Sequence, residues 1–233
     1  MKKLVVVIFL LLNGLLYSQV NIDLPDFPYD SVYDSYYNEM DKVNLKSFIL
    51  DVLSNNNYVD KENNLLLYST IKKAGEIRLE EAYPYIRNFI RSYNPMVDNL
   101  SGVDLATSRP VWISSVWTIG RIGKDEDIVY LGQYYGQVKD IESKYYIIYA
   151  LGEAVNSENA LKLLNEIADE TSVVADTRLA VRLIKSIRNH NSKSSVYALS
   201  TLKDLMKNNK NYTKEIETLI NKTIEEIGMT GKD

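Results

Sequence analysis

The sequence has no cysteine and one histidine, His190, in 233 residues. A disulfide framework, a thiol nucleophile, a thiolate zinc site and a lipid-modified N-terminal cysteine are therefore excluded. A lone imidazole leaves little room for histidine-based catalysis or a multi-histidine metal site. Sustained period-two alternation between hairpin turns is missing too, which argues against a sheet. The one long apolar run, Leu4 to Leu16, is broken by Asn13 and Gly14. It falls short of the roughly 20 residues that a membrane span needs. There is no excess of basic charge either: 27 Lys and Arg stand against 31 Asp and Glu, a net charge of −4. An acidic chain is a poor match for nucleic acid, where phosphate must be neutralised by clustered cations.

What is present is globular material. Hydrophobic residues make up 45% and charged residues 25%. That is enough for a sizeable core in one large domain or two small ones. Met1-Lys2-Lys3, the apolar run and Tyr17-Ser18-Gln19 follow the order of a secretory signal peptide. Residues 1–18 are expected to be that signal, cleaved between Ser18 and Gln19. The remainder then carries 25 basic and 31 acidic side chains, a net charge of −6. Its expected location is exported, either periplasmic or secreted, with no transmembrane span after cleavage. Absence of cysteine suits that setting.

Residues 19–41 form an acidic, tyrosine-rich segment with Asp23, Asp26, Asp30, Asp34, Glu39 and Asp41 and no Lys or Arg. Pro25 and Pro28 disfavour helix at its start. Tyr29, Tyr33, Tyr36 and Tyr37 offer a helical stripe. Two readings follow: an arm packing its aromatics on the first helices, or a docking segment for a basic partner.

From residue 42 the apolar spacing turns helical. Leu45, Phe48, Ile49, Val52 and Leu53 mark the first helix. Further starts fall near 63, 80, 110, 125, 142, 157, 174, 192 and 213. Thr213 and Glu215 open the last helix, whose Ile216, Leu219, Ile220 and Ile224 face inward. Four segments resemble one another: Ser69 to Gly75, Trp117 to Gly123, Tyr149 to Val155 and Arg182 to Arg188. Each is followed by a second amphipathic helix. Their anchors, Ile71, Ile119, Leu151 and Ile184, are 48, 32 and 33 residues apart. Two helices per unit at that period are the pattern of stacked helical repeats. The long first spacing marks an insertion at 93–109, whose Met96, Val97, Leu100, Val103 and Leu105 suit folding down on the helices.

Ile119-Gly-Arg-Ile-Gly123 followed by Asp125-Glu126-Asp127, and Tyr149-Ala-Leu-Gly-Glu-Ala154 followed by Asn156-Ser157-Glu158, resemble the HEAT-repeat family, in particular its short bacterial type. The resemblance spans roughly residues 60–208. Lys72, Lys185 and Arg188 depart from the glycines of that phrase. It implies an all-α, right-handed α-solenoid of about four HEAT-like helix pairs with helical caps over residues 42–233. Gly120 and Gly152 fit close helix approach, and Gly123 fits a left-handed helix closure. Asp125 or Ser157 fits an N-cap, and Pro110 fits a first helical turn. Trp112 and Trp117, five apart, point to different sectors: one to the core, the other to an interface or the underside of the insertion.

Nothing here assembles a catalytic site. His190 lies in Arg188-Asn-His-Asn-Ser192 and reads as an exposed turn residue. Gly120-Arg-Ile-Gly123 reads as a helix terminus rather than a nucleic-acid loop, and Asp125-Glu126-Asp127 as first-turn acid rather than a cation site. No cofactor and no metal is expected. In HEAT-like stacks the second helix of each pair lines the inner wall. The outward positions there are Tyr85, Asn88, Gln133, Tyr134, Lys162 and Glu166, a mixture of aromatic, amide and charged groups suited to gripping a protein or peptide. The expected function is a non-enzymatic protein-binding scaffold of the bacterial envelope. The alternatives are a docking subunit tethered through its acidic leader and an enzyme on a HEAT-like fold.

Overall fold

A computed structural model describes residues 33–55, 64–92, 102–210 and 212–232. The signal, most of the acidic leader and residues 93–101 of the insertion lie outside the described residues. Among the described residues the chain is all-helical, with no strand. Its elements are α1 (Asp34–Glu39), α2 (Lys42–Ser54), α3 (Asn64–Glu76), α4 (Tyr83–Ser92), α5 (Gly102–Ile122) and α6 (Asp125–Gln137). There follow α7 (Ile141–Glu153), α8 (Glu158–Ile167), α9 (Thr171–Ala175), α10 (Thr177–His190), α11 (Val196–Met206) and α12 (Lys214–Thr230). Short 3-10 turns at Glu80–Ala82 and Lys193–Ser195 lead into α4 and α11.

Local chemistry sets most starts. Side-chain oxygens accept from the free amides of the first turn. Asp41 takes Val43 and Asn44 N–H at 3.0 Å, Asp140 takes Ser143 N–H at 2.8 Å, and Asp176 takes Arg178 N–H at 2.9 Å. Ser157 and Thr213 cap α8 and α12 by bonding Ala160 and Ile216 N–H. Asp125 is not a cap but the first residue of α6, and its carboxylate accepts from Ser157 Oγ. Asp127 reaches back instead, accepting from Lys124 N–H at 3.2 Å.

The helices fall into two sets. α3, α5, α7 and α10 pack side by side in chain order. The second set is α4, α6, α8 and α11. There α4 lies on α5, α6 on α5 and α7, and α8 on α7 and α10; α6 also meets α8, and α8 meets α11. α2 covers α3 and α4 at one end, and α12 covers α10 and α11 at the other. α1 is anchored by buried Tyr37, whose hydroxyl bonds Thr70 Oγ1 at 2.9 Å.

The first set forms the interior. Every residue of α5 from Pro110 to Gly120 and of α7 from Tyr145 to Gly152 is buried. A helix apolar on all sides belongs inside a core, and these stretches read that way. Both tryptophans are in it: Trp112 is 1% exposed and Trp117 4%. Glycine sets the spacing. A Cβ on Gly120 would lie 2.2 Å from the Ala150 carbonyl oxygen, one on Gly152 2.4 Å from Ser186 Oγ, and one on Gly75 2.6 Å from the Trp117 ring. Polar groups on one helix then serve the carbonyls of the one before. Thr118 Oγ1 donates to Ile71 O at 3.0 Å, Arg121 Nε to Gly75 O at 2.9 Å, and Ser186 Oγ to Ile148 O at 2.9 Å.

Several expectations change. Pro110 is inside α5 rather than in its first turn, because the helix begins at Gly102. An interior proline forfeits one backbone bond and crowds the preceding turn; here burial of Val111, Trp112 and Ile113 immediately after it holds the helix. Eight residues assigned to the insertion are thus helical. Gly123 is not left-handed: among the described residues only Arg78 and Asn191 have positive φ, 51° and 49°. Gly123 is needed for space instead, since a Cβ there would lie 2.5 Å from Ile119 O. His190 is not an exposed turn residue. α10 runs through it, Asn191 closes the helix, and the ring is 7% exposed, with Nε2 2.8 Å from Leu151 O. Burial holds its pKa below the ordinary histidine value, so the neutral ring donates from Nε2.

Candidate partner-binding groove

The second set carries the outward-facing polar surface, and its junctions differ. Between α4 and α6, Asp127 is the hub, its side chain 5% exposed. It accepts from Tyr83 Oη at 2.8 Å and from Arg87 Nε at 3.1 Å, with Arg91 at 3.7 Å. Arg87 also pairs with Glu126 at 2.8 Å. Arg91 lies 5.4 Å from the centre of the Tyr130 ring, a cation–π contact. Burial, followed by the bond to Asp127, pushes the Tyr83 hydroxyl up to about 12. The acids of Asp125-Glu126-Asp127 are thus engaged with Ser157, Arg87, Arg91 and Tyr83. Among the described residues no group of three or more His, Asp or Glu side chains converges as a metal site.

Between α8 and α11 the surface opens into a groove of about 420 Å³. Glu158, Lys162, Asn165 and Glu166 project from α8, with Asp169 just beyond its end. Tyr197 and Ala198 face them from α11. Tyr197 is 80% exposed, the most exposed large hydrophobic side chain among the described residues. Lys162 and Glu166 form an exposed ion pair at 3.9 Å, one turn apart. Such a pair contributes only about 0.5 kcal/mol. Glu158 and Asp169 have no ion-pair or side-chain hydrogen-bond partner among the described residues. In the groove wall the Asn165 carboxamide oxygen is buried without a hydrogen-bond partner. An unpaired buried acceptor costs about 1–3 kcal/mol.

The six residues selected from the sequence divide here. Lys162 and Glu166 line the groove. Asn88 on α4 and Gln133 on α6 are exposed but lie outside it. Tyr85 is half-buried and packs against the core. Tyr134 is a correction: it is 8% exposed, its ring 5.9 Å from Trp112 and 6.1 Å from Tyr130. α6 touches α5, α7 and α8, so it buries a wider stripe than one face. Burial raises the Tyr134 hydroxyl pKa well above the ordinary tyrosine value. Tyr197 was not selected. Its signal is an aromatic lying off the apolar stripe of α11, formed by Ala198, Leu199, Leu202 and Met206.

No helix among the described residues is long and apolar enough to cross a membrane. Compared with protein-family models, curated proteins and solved structures, the chain matches none.

Proposed function

We propose that this chain is an exported, non-enzymatic interaction module of the bacterial envelope that holds a protein or peptide segment along its second-set helices. In this reading the fold is a right-handed α-solenoid of HEAT-like pairs, α3/α4, α5/α6, α7/α8 and α10/α11, with α2 and α12 as caps. Support comes from the ordered side-by-side packing of the first set and from the recurring glycine contacts at Gly75, Gly120 and Gly152. Export rests on the pattern of residues 1–18. The observation that carries binding is the α8–α11 groove, where an exposed Tyr197 stands beside two carboxylates without an ion-pair partner. Shape-complementary capture at an aromatic anchor is the mechanism such a surface supports.

The test is photo-crosslinking in cells, with a photoreactive residue placed at Lys162 or Tyr197. A control carries it at Val43, 74% exposed on the distant α2. The expected result is one partner, at fixed stoichiometry, from the groove positions and not from Val43. Equal labelling from all three positions, or none from the groove, would overturn the reading.

A further inference from the structure

We infer that the α8–α11 groove receives a cationic, extended segment of a partner protein, anchored over Tyr197. The inference rests on the interaction reading above and adds the chemistry of the partner.

Three observations point the same way. The groove is lined by three carboxylates, Glu158, Glu166 and Asp169, and one ammonium, Lys162. Lys162 is already beside Glu166, which leaves Glu158 and Asp169 as sites for cations supplied from outside. Tyr197 then offers an open aromatic face, on which Lys or Arg is attracted to the ring. Finally, the molecule fills its own equivalent junction with this chemistry: between α4 and α6, Asp127 gathers Arg87, Arg91 and a tyrosine hydroxyl.

Spacing narrows the ligand. Glu158 opens α8 and Asp169 follows its end, eleven residues on. At the helical rise this is roughly 16 Å, the reach of about five residues of extended chain. Because side chains alternate along an extended chain, a matching segment carries two Lys or Arg four positions apart, both on one face, with their long stems covering the remaining distance.

Fluorescence anisotropy of the purified full-length chain with three labelled octapeptides tests this. One has Lys at positions 2 and 6, one has the same composition with the two Lys adjacent, and one has Glu in place of both Lys. The spaced-Lys peptide is expected to bind best and the Glu peptide not to bind. Tyr197→Ser, and the pair Glu158→Gln with Asp169→Asn, are each expected to weaken the spaced-Lys peptide by about tenfold or more, with unchanged melting. Equal binding of the two Lys peptides, or binding insensitive to these substitutions, would overturn the proposal, since general acidity would then account for it. Concentration-dependent dimerisation lost in Tyr197→Ser, without peptide binding, would also overturn it and assign the groove to a second copy. If no peptide binds while groove-specific crosslinking still captures a partner, the cationic chemistry falls and the interaction reading stands. Failure of both removes both.

Discussion

At the α4–α6 junction Asp127 and Glu126 lie against Arg87, and Arg91 and Tyr83 complete the cluster. At the α8–α11 junction Glu158 and Asp169 stand without a cation, and Tyr197 lies open beside them. Both junctions join second-set helices, yet one meets its electrostatic needs internally and the other leaves them unmet. A closed network fixes how two helices sit and has little left to offer a ligand. An open one contributes little to the fold and keeps its groups available. The two junctions therefore differ in the pairing state of their carboxylates, since both contain acids and tyrosines.

The comparison can be strained from the interior outward. Gly120→Val places a side chain against the Ala150 carbonyl, where no rotamer relieves the clash. It is expected to cost about 3 kcal/mol or more, measured by urea unfolding; a loss under half of that would mean the α5–α7 contact yields. Asp127→Asn breaks the closed junction. With Arg87 and Arg91 partly solvated, the expected loss is about 2 kcal/mol, and unchanged stability would show that the two junctions do not differ in kind. His190 tests a titrating contact. Its folded pKa is depressed by burial, so the unfolded chain takes up the proton first. Stability is expected to be level above pH 6.5 and to fall as the pH drops below it. In His190→Gln that slope should flatten, and an identical slope would place the titrating group elsewhere. Tyr197→Ser is the smallest effect: less than about 0.5 kcal/mol in stability. A larger loss would make Tyr197 a packing residue and erase the contrast between the junctions.

Much of the helical layout was readable from apolar spacing. The starts near 63, 125, 142, 157 and 213 fall within two residues of α3, α6, α7, α8 and α12. Gly120 and Gly152 mark close helix approach as read, because a missing Cβ amid an apolar stripe has few other uses. Failures came where the outcome depends on a partner distant in the chain. Tyr134 sits one position off the stripe of Ile128, Leu131 and Tyr135, and Trp112 reaches it from α5. His190 looked terminal because Asn191, a non-glycine residue, makes the left-handed closure. α9 has five residues, too few for periodicity to register, and Asp176 separates it from α10. The groove itself was half legible. Lys162 and Glu166 follow from the outward face of α8, whereas Tyr197 comes from α11, some thirty residues later.

The carbonyl contacts between first-set helices also have a direction. Thr118 and Arg121 on α5 serve carbonyls of α3, and Ser186, Asn189 and His190 on α10 serve those of α7. In each case the later helix donates and the earlier one accepts. Loosening α10 strips the carbonyls at the C-terminal end of α7 of their donors, whereas loosening α7 returns a few side chains of α10 to water. Fraying should therefore travel backward along the chain more readily than forward. In amide hydrogen exchange, a weakened α10 would mark α7 as well, while a weakened α3 would leave α5 comparatively protected.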